Sequence, residues 1–561
     1  MARFLTIPAL CLSLFLFAYQ FRALFVPILG EHDWRQADTY SVAYNFVHES
    51  GNFFHPRIDW TKGRSGIMGM ETPIYPFLIS ILMRIFGDSP ASGRFLTWLF
   101  ATSAIVFAAC VLRPPHRRGI GVGFLLMMTL SPAALFEFRQ VQPDPVMTAM
   151  CLSAACFFHL FSTSGKRWLF AAGMAFYSAA VLTKSPALFL GPAMWLFSFT
   201  GKKVRRVSIA KRGALFIIPI ALTLAWYVWA KHLNTVYNGG EVYFRIDFGG
   251  WESVKNDATN LPQLNHIFGH LLCIWAMNWT LYPAILAGAV LALEKEHRAL
   301  TWPMLAWLVG ASIFLALFSE RLRHHFYYAL PLLPPLAYAG ALALGRVFEL
   351  VDSEQVGRSF LSRAAVTFVL LALAFTLYVA GPARELVAVP FARDFVRNAT
   401  WVSMRGTIVL TGAALAALVL ALVREFRGRR IVYGICAVAA FLLALPRGLH
   451  DEIHAFRYRA RTADWETFDR DWGPLRQAVA AHSTRNDVFI VDGGQPWYLY
   501  LPLRKGFAEE LSEIDKLGIE YYTTRGARFY VHYPEKGRAP VATNSMRQLA
   551  TGPRWELYSI H

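Results

Sequence analysis

The chain has 561 residues, with 55 Lys+Arg against 37 Asp+Glu and a formal net charge of +18. Hydrophobic residues make up 55%, charged residues 16%, and the mean hydropathy is +0.36. A soluble domain carries about 25% charged residues, so an ordinary soluble enzyme is excluded, and so is disorder, which needs low hydrophobicity. Cys11, Cys110, Cys151, Cys156, Cys273 and Cys436 all lie in apolar runs, which implies neither a disulfide framework nor a cysteine zinc site. What remains is a polytopic α-helical membrane protein. Its basic excess suits anionic headgroups or phosphate ligands, not nucleic acid.

The first apolar run, 4–27, reads as a signal peptide or an anchor, and the many runs that follow favour the anchor. Residues 28–92 are too polar to span. Inside them, 73–86 is apolar but short, which predicts an interfacial or re-entrant segment. Further runs lie near 94–112, 119–136, 146–161, 168–183, 186–200, 213–230, 266–292, 301–318, 329–345, 364–381, 406–423 and 431–446, about 13 spans with the first. The connections 113–118, 162–167 and 201–212 hold eleven basic residues and no acidic one, and 424–430 is basic too. The positive-inside rule places them in the cytoplasm with the N-terminus. The opposite, outer side then receives 28–92, 137–145, Lys184, 231–265, 319–328 and the tail.

The tail predicts a small α/β domain outside the cytoplasm. Val488–Val491 reads as a strand ending in the turn Asp492-Gly493-Gly494, 508–518 as helical, and 526–533 as a second strand. The predicted organisation is a membrane domain over 1–447, with its first outer loop at 28–92, and a soluble domain over 448–561.

The stretch 31–60 is the richest in charged and aromatic residues ahead of the tail. Asp33, Trp34 and Arg35 follow the first span directly. Two readings are open from composition: an interfacial belt of snorkelling side chains, or a functional carboxylate at the membrane surface.

The order of motifs along the chain resembles the GT-C glycosyltransferases, in the branch of the protein O-mannosyltransferases and the lipid A aminoarabinose transferase. His32-Asp33-Trp34-Arg35-Gln36-Ala37-Asp38-Thr39 occupies the place of the family's first-loop acidic motif. Glu71-Thr72-Pro73-Ile74-Tyr75-Pro76 resembles its Lys-Pro-Pro-Leu-Tyr-Pro stretch, and Gln142-Pro143-Asp144-Pro145 stands where a second acidic residue is found. Leu182-Thr183-Lys184-Ser185-Pro186 resembles Leu-Thr-Lys-Gly-Pro, and 325–335 resembles the Tyr-x-Leu-Pro-x-x-Pro block. The resemblance covers about residues 30–335. Two departures stand out. The usual Asp-Glu pair is absent, with Arg35 and Gln36 on its gapless positions, and Glu71 replaces a phosphate-binding lysine, free to pair with Arg35 or Arg64.

The resemblance implies an inverting glycosyltransferase that moves a sugar from a polyprenyl-phosphate donor to a lipid, glycan or protein acceptor at the outer, periplasmic face of a bacterial-type cytoplasmic membrane. It assigns Asp33 as the base. Arg35, Arg139, Lys184 and Arg323 are the cations expected to hold the donor phosphate, and Tyr328 is expected to donate a hydrogen bond to it. His32, Asp38, Glu71, Asp144 and His325 are expected around the same site. No cofactor and no metal is expected, because protein cations suffice for one phosphate. Bland readings stay open beside these. Lys184 is a snorkelling lysine, Asp144 a helix N-cap before 146, and the aromatic residues of 226–251 either interfacial packing or a sugar-stacking lid. Glu320, His324 and His325 suggest a metal, which neighbouring Arg321 and Arg323 oppose. The rival function is a transporter or flippase of a lipid-linked saccharide, for which midplane charges and paired halves are expected.

Overall fold

The computed structural model describes residues 32–113, 117–201, 209–239, 281–319, 325–352, 465–534, 539–541 and 545–561, with parts of 10–28, 255–260 and 276–277. The apolar runs 364–381, 406–423 and 431–446, the boundary at 447/448, and Arg323 and His324 lie outside the described residues.

Helix α1 (Asp33–His48) opens the first outer loop, and α2 (Ile74–Phe86) closes it. The 13 residues of α2 fit the short apolar segment read at 73–86. Helix α3 (Pro90–Val111) starts where Ser89 Oγ accepts the Ala91 N–H at 3.2 Å and proline occupies the first turn, a strong start signal. The run 119–136 is not one helix. It is α4 (Arg118–Leu130) followed by a short helix, Pro132–Glu137, because Ser131 caps a new start before Pro132. Helices α5 (Pro143–Ser164) and α6 (Arg167–Thr183) follow. Lys184 is extended, and Pro186 cannot prolong α6, so a tight helical stretch, Ser185–Leu190, leads into α7 (Gly191–Phe197). Then come α8 (Ile217–Asn238), α9 (Tyr282–Leu291), α10 (Arg298–Leu317), a tight stretch at Phe326–Leu332, and α11 (Leu333–Asp352).

Five described helices are long and apolar enough to cross a membrane: Pro90–Val111, Pro143–Ser164, Arg212–Asn238, Arg298–Leu317 and Tyr327–Arg346. A helix of 22 residues reaches about 33 Å, enough for a hydrocarbon core of about 30 Å. Different contacts mark their two ends. At one end, Arg117 pairs with Glu296 at 2.6 Å, joining the basic connection 113–118 to the loop before α10. At the other end of α3, α5 and α10 lie Arg94, Asp144 and the Phe314–Tyr328 ring contact.

The C-terminal domain carries α12 (Trp465–His482) and a five-stranded sheet in the order β2-β1-β3-β5-β4. Strands β1 (Val488–Val491), β2 (Lys505–Ala508) and β3 (Ala527–His532) are parallel, and β4 (Met546–Gly552) and β5 (Trp555–Ile560) add antiparallel pairs. The strands expected at 488–491 and 526–533 are β1 and β3, and the helical stretch at 508–518 is Leu511–Leu517. Part of its apolar core is continuous with that of the membrane bundle, where Phe468, Trp472, Leu499 and Tyr500 join the cluster that contains Ile28 and Tyr40, and the rest forms a separate cluster with Ile490, Phe507 and Tyr530.

Candidate functional site

Four segments far apart in sequence meet beside the N-terminal end of α1. Arg35, on its first turn, donates Nη2 to both Glu71 oxygens at 3.0 and 3.1 Å. Lys184, at the α6 break, donates Nζ to Glu71 Oε1 at 2.8 Å and lies 3.7 Å from Asp144 Oδ2. The same ammonium lies 5.6 Å from the centroid of the Tyr328 ring, a cation–π contact. The Lys184 side chain is 7% exposed and that of Asp144 1%.

Local sequence explains each placement. The backbone of His32 is left-handed, φ 57 and ψ 26, an arrangement that costs a non-glycine residue roughly 1–2 kcal/mol. Non-glycine strain of this kind clusters at functional sites. It turns the start of α1 so that the buried His32 ring meets Tyr327 edge-on at 4.8 Å. Trp34 lies 5.9 Å from His325, and His325 lies 5.4 and 6.0 Å from Tyr327 and Tyr328. Gln36 Oε1 accepts the Val141 N–H at 3.3 Å, joining α1 to the turn before α5. The loop before Glu71 is laced to α8: Asn234 bonds both the N–H and the carbonyl of Gly69, at 2.9 and 3.0 Å, and Trp226 Nε1 donates to the Met70 carbonyl at 2.8 Å. A Cβ on Gly69 would lie 1.8 Å from the Ala230 carbonyl oxygen, so only glycine permits this approach.

The charges are balanced. Burial raises the Glu71 carboxyl, but Arg35 and Lys184 outweigh it and hold the group well below the ordinary carboxylate range. Glu71 is therefore ionised at neutral pH, opposite two cations. Asp38, one turn beyond Arg35, is buried. Desolvation, opposed by Arg35 and assisted by Asp59 and Glu71, pushes it up to about 7.

The residues expected around the site divide as follows. Arg35, Lys184, Glu71, Asp144 and Tyr328 form one cluster, with His32 and His325 on its aromatic side. Of the two partners expected for Glu71, Arg35 is the one found; Arg64 bonds the Asn238 carbonyl instead. Asp144 is no N-cap. Gln142 holds that position and Pro143 the first turn, which buries Asp144 inside the site beside the Lys184 ammonium. Asp33 is half-buried at the first position of α1, where Oδ1 accepts the Trp34 N–H at 2.7 Å. Arg139 lies in the turn before α5; its carbonyl accepts from Arg94 at 3.0 Å and its guanidinium lies 5.7 Å from the Phe136 ring. Trp226 and Trp229 donate to the first loop, at the Met70 and Phe54 carbonyls. Tyr243, Phe244 and Trp251 lie outside the described residues. Sequence reasoning gave no site role to Tyr327. It is the neighbour of Tyr328 in a block already singled out, and the two rings lie 4.6 Å apart. Among the described residues, the group with metal-ligand spacing is Glu294, Glu296 and His297, in the loop paired to Arg117 and away from this cluster.

Residues 70–229 match the family model described as dolichyl-phosphate-mannose-protein mannosyltransferase. The whole chain is similar in fold to ArnT from Cupriavidus metallidurans bound to undecaprenyl phosphate. The TM-score is 0.56 at 14% identity, with 100% of this chain and 98% of that chain covered. This chain has the GT-C membrane fold. ArnT in the apo state matches at 0.53 and 14% identity, over 99% and 97% of the two chains. The apo Archaeoglobus fulgidus oligosaccharyltransferase matches at 0.49 and 12%, over 95% and 70%. No curated protein matches in sequence. The resemblance to GT-C glycosyltransferases read from the motifs therefore holds, in fold along the chain and in sequence over 70–229. That segment contains Glu71, Arg139, Asp144 and Lys184. The GT-C fold adds α1 and the 326–332 stretch, which bring Arg35 and Tyr328 to them.

Proposed function

We propose that this protein is an inverting glycosyltransferase that moves a sugar from a polyprenyl-phosphate donor to a lipid, glycan or protein acceptor at the outer face of a bacterial cytoplasmic membrane. The observation that carries the reading is the convergence of Arg35 and Lys184 on Glu71, beside Asp144 and Tyr328, at the helix ends opposite the basic loops. ArnT, similar in fold, binds undecaprenyl phosphate, and a lipid monophosphate is the ligand that two cations at a membrane surface suit.

In this reaction the acceptor hydroxyl attacks the anomeric carbon from the face opposite the phosphate. The C–O bond to phosphate breaks, and the polyprenyl phosphate leaves with the electron pair, gaining a second negative charge. Arg35 and Lys184 are already placed beside one another to meet that charge as it develops. Arginine offers a planar fork and lysine a point charge. Glu71 holds both cations ready until phosphate oxygens take over their donors. Asp33, half-exposed at the start of α1, accepts the acceptor proton. Asp144, buried beside the Lys184 ammonium, receives a sugar hydroxyl. Protein cations neutralise the phosphate, and the reaction runs without a metal.

The test is purified protein in detergent or nanodiscs with a panel of undecaprenyl-phosphate sugars, assayed for release of undecaprenyl phosphate. Release with at least one sugar, lost in Lys184→Ala, supports the reading. Saccharide movement across a vesicle bilayer without release makes the protein a transporter instead.

A further inference from the structure

We propose that the C-terminal domain is a working part of this transfer site, with Arg485 as the positioning residue that holds α1 in place. The inference rests on the function proposed above, because α1 carries Asp33 and Arg35.

Helix α1 has 16 residues and is about 24 Å long. Its first turns carry the candidate chemistry, its far end carries Asn45, and Glu49 follows it directly. Contacts from the C-terminal domain lie just ahead of it and along its second half. Just ahead of it, Trp497 Nε1 donates to the Ile28 carbonyl at 3.0 Å. At its middle, Tyr500 meets Tyr40 edge-on at 5.6 Å. At its far end, Arg485 donates Nη2 to Asp59 Oδ1 at 2.5 Å and to Asn45 Oδ1 at 3.0 Å. Its Nη1 bonds the Leu503 carbonyl at 2.6 Å, and its guanidinium lies 4.8 Å from the Tyr44 ring. Lys505 bonds Glu49 at 3.1 Å. The two backbones also meet, with the Gly506 N–H on the Asp59 carbonyl at 2.8 Å and the Lys62 N–H on the Gly506 carbonyl at 3.0 Å. Gly63, at φ +74, lets the loop lie flush: a Cβ there would sit 2.7 Å from the Arg525 carbonyl oxygen.

Asp59 is the hub. It is buried, accepts Asn45 Nδ2 at 3.0 Å as well as Arg485, and links α1, the first loop and the C-terminal domain in one network. A helix transmits a shift at one end to the other. Removing Arg485 leaves a buried carboxylate uncompensated behind α1, and a displacement of about 1 Å at reacting groups costs on the order of 100-fold in rate. The guanidinium meets three acceptors and a ring at once from a rigid planar fork, a geometry that the point charge of a lysine on a flexible stem does not reproduce.

The test uses the full-length protein in nanodiscs, with Arg485→Ala and Arg485→Lys. Two quantities are read: hydrogen exchange of the amides of 33–48 against those of 143–164, and affinity for undecaprenyl phosphate. In Arg485→Ala we expect exchange across 33–48 to quicken at least tenfold, exchange across 143–164 to stay at the parent level, and affinity to fall at least tenfold. Arg485→Lys should fall between. Parent-like exchange in 33–48, or equal quickening in both segments, overturns the proposal, because the second result means general loosening. If Arg485→Ala does not fold, Arg485→Lys decides alone: about threefold faster exchange confined to 33–48 supports the role, and parent-like exchange overturns it. If the parent protein binds no undecaprenyl phosphate, the donor reading falls while the exchange data still judge Arg485.

Discussion

Glu71 and Lys184 are 113 positions apart, yet Glu71 Oε1 accepts from Lys184 Nζ at 2.8 Å while also accepting from Arg35. One carboxylate thus sets the spacing of two cations that come from the first loop and from the break after α6.

Glu71→Gln should strip both cations of their counter-charge. Removing one partner of a buried pair costs roughly 3–5 kcal/mol. The Glu71 carboxyl is held below its ordinary range, so its stabilisation is full above the unfolded carboxylate pKa and is lost as the pH falls through the folded value. Thermal unfolding should therefore show a large deficit for Glu71→Gln at pH 7 that narrows at strongly acidic pH. An equal deficit at both pH values would show that shape, not charge, is what Glu71 supplies.

Asp33→Asn should leave folded protein with transfer reduced about 100- to 10,000-fold, the range of a general acid–base group. Asp38→Asn should act mainly through stability. Loss of turnover in Asp38→Asn, with Asp33→Asn near the parent rate, would exchange the two roles. Near-normal rates in both would point to an acceptor that is already anionic.

The buried Asp38 carries a second expectation. Its folded pKa is about 7, above the unfolded value, so its contribution is fully present at low pH and is lost as the pH rises through 7. A three-unit difference corresponds to at most about 4 kcal/mol. Asp38→Asn should thus unfold at a higher temperature than the parent at pH 8.5 and no higher at pH 4. A lower temperature at pH 8.5 would mean that the charged form is needed by its neighbours.

Lys184→Ala should damage both donor binding and turnover, and Lys184→Arg should restore them in part, since the fork cannot reproduce a point charge on Glu71 and phosphate together. Activity should survive a chelator. A Lys184→Ala protein that turns over normally while chelator abolishes activity would assign the phosphate to a metal, with Glu71, Asp144 and His324 as the first ligands to replace.

A C-terminal alkaline-phosphatase fusion should be active and a fluorescent-protein fusion dark, because the basic connections lie opposite the tail. The converse pattern would put the tail in the cytoplasm and end the count of 13 spans.

By itself the sequence determined the class of the molecule, and it set the expectations for the sidedness of its loops and for the site. Hydropathy located α3, α5, α6 and α10, since a helix in lipid must be apolar along its length and its basic flanks stay in the cytoplasm. The strands β1 and β3 stood out as apolar runs before turns. Strands β4 and β5 did not: they lie to one side of the parallel strands, and Arg547, Gln548 and Glu556 interrupt any apolar run. The site motifs were legible because each is a polar interruption beside an apolar run, as Lys184 and Asp144 are. Their pairing was not. That Glu71 binds both Arg35 and Lys184, that Asp144 is an interior carboxylate and not a cap, and that Arg485 reaches Asp59 across 426 positions are contacts between distant segments. Local propensity carries no record of them, because they exist only once the helices and the C-terminal sheet have packed around α1.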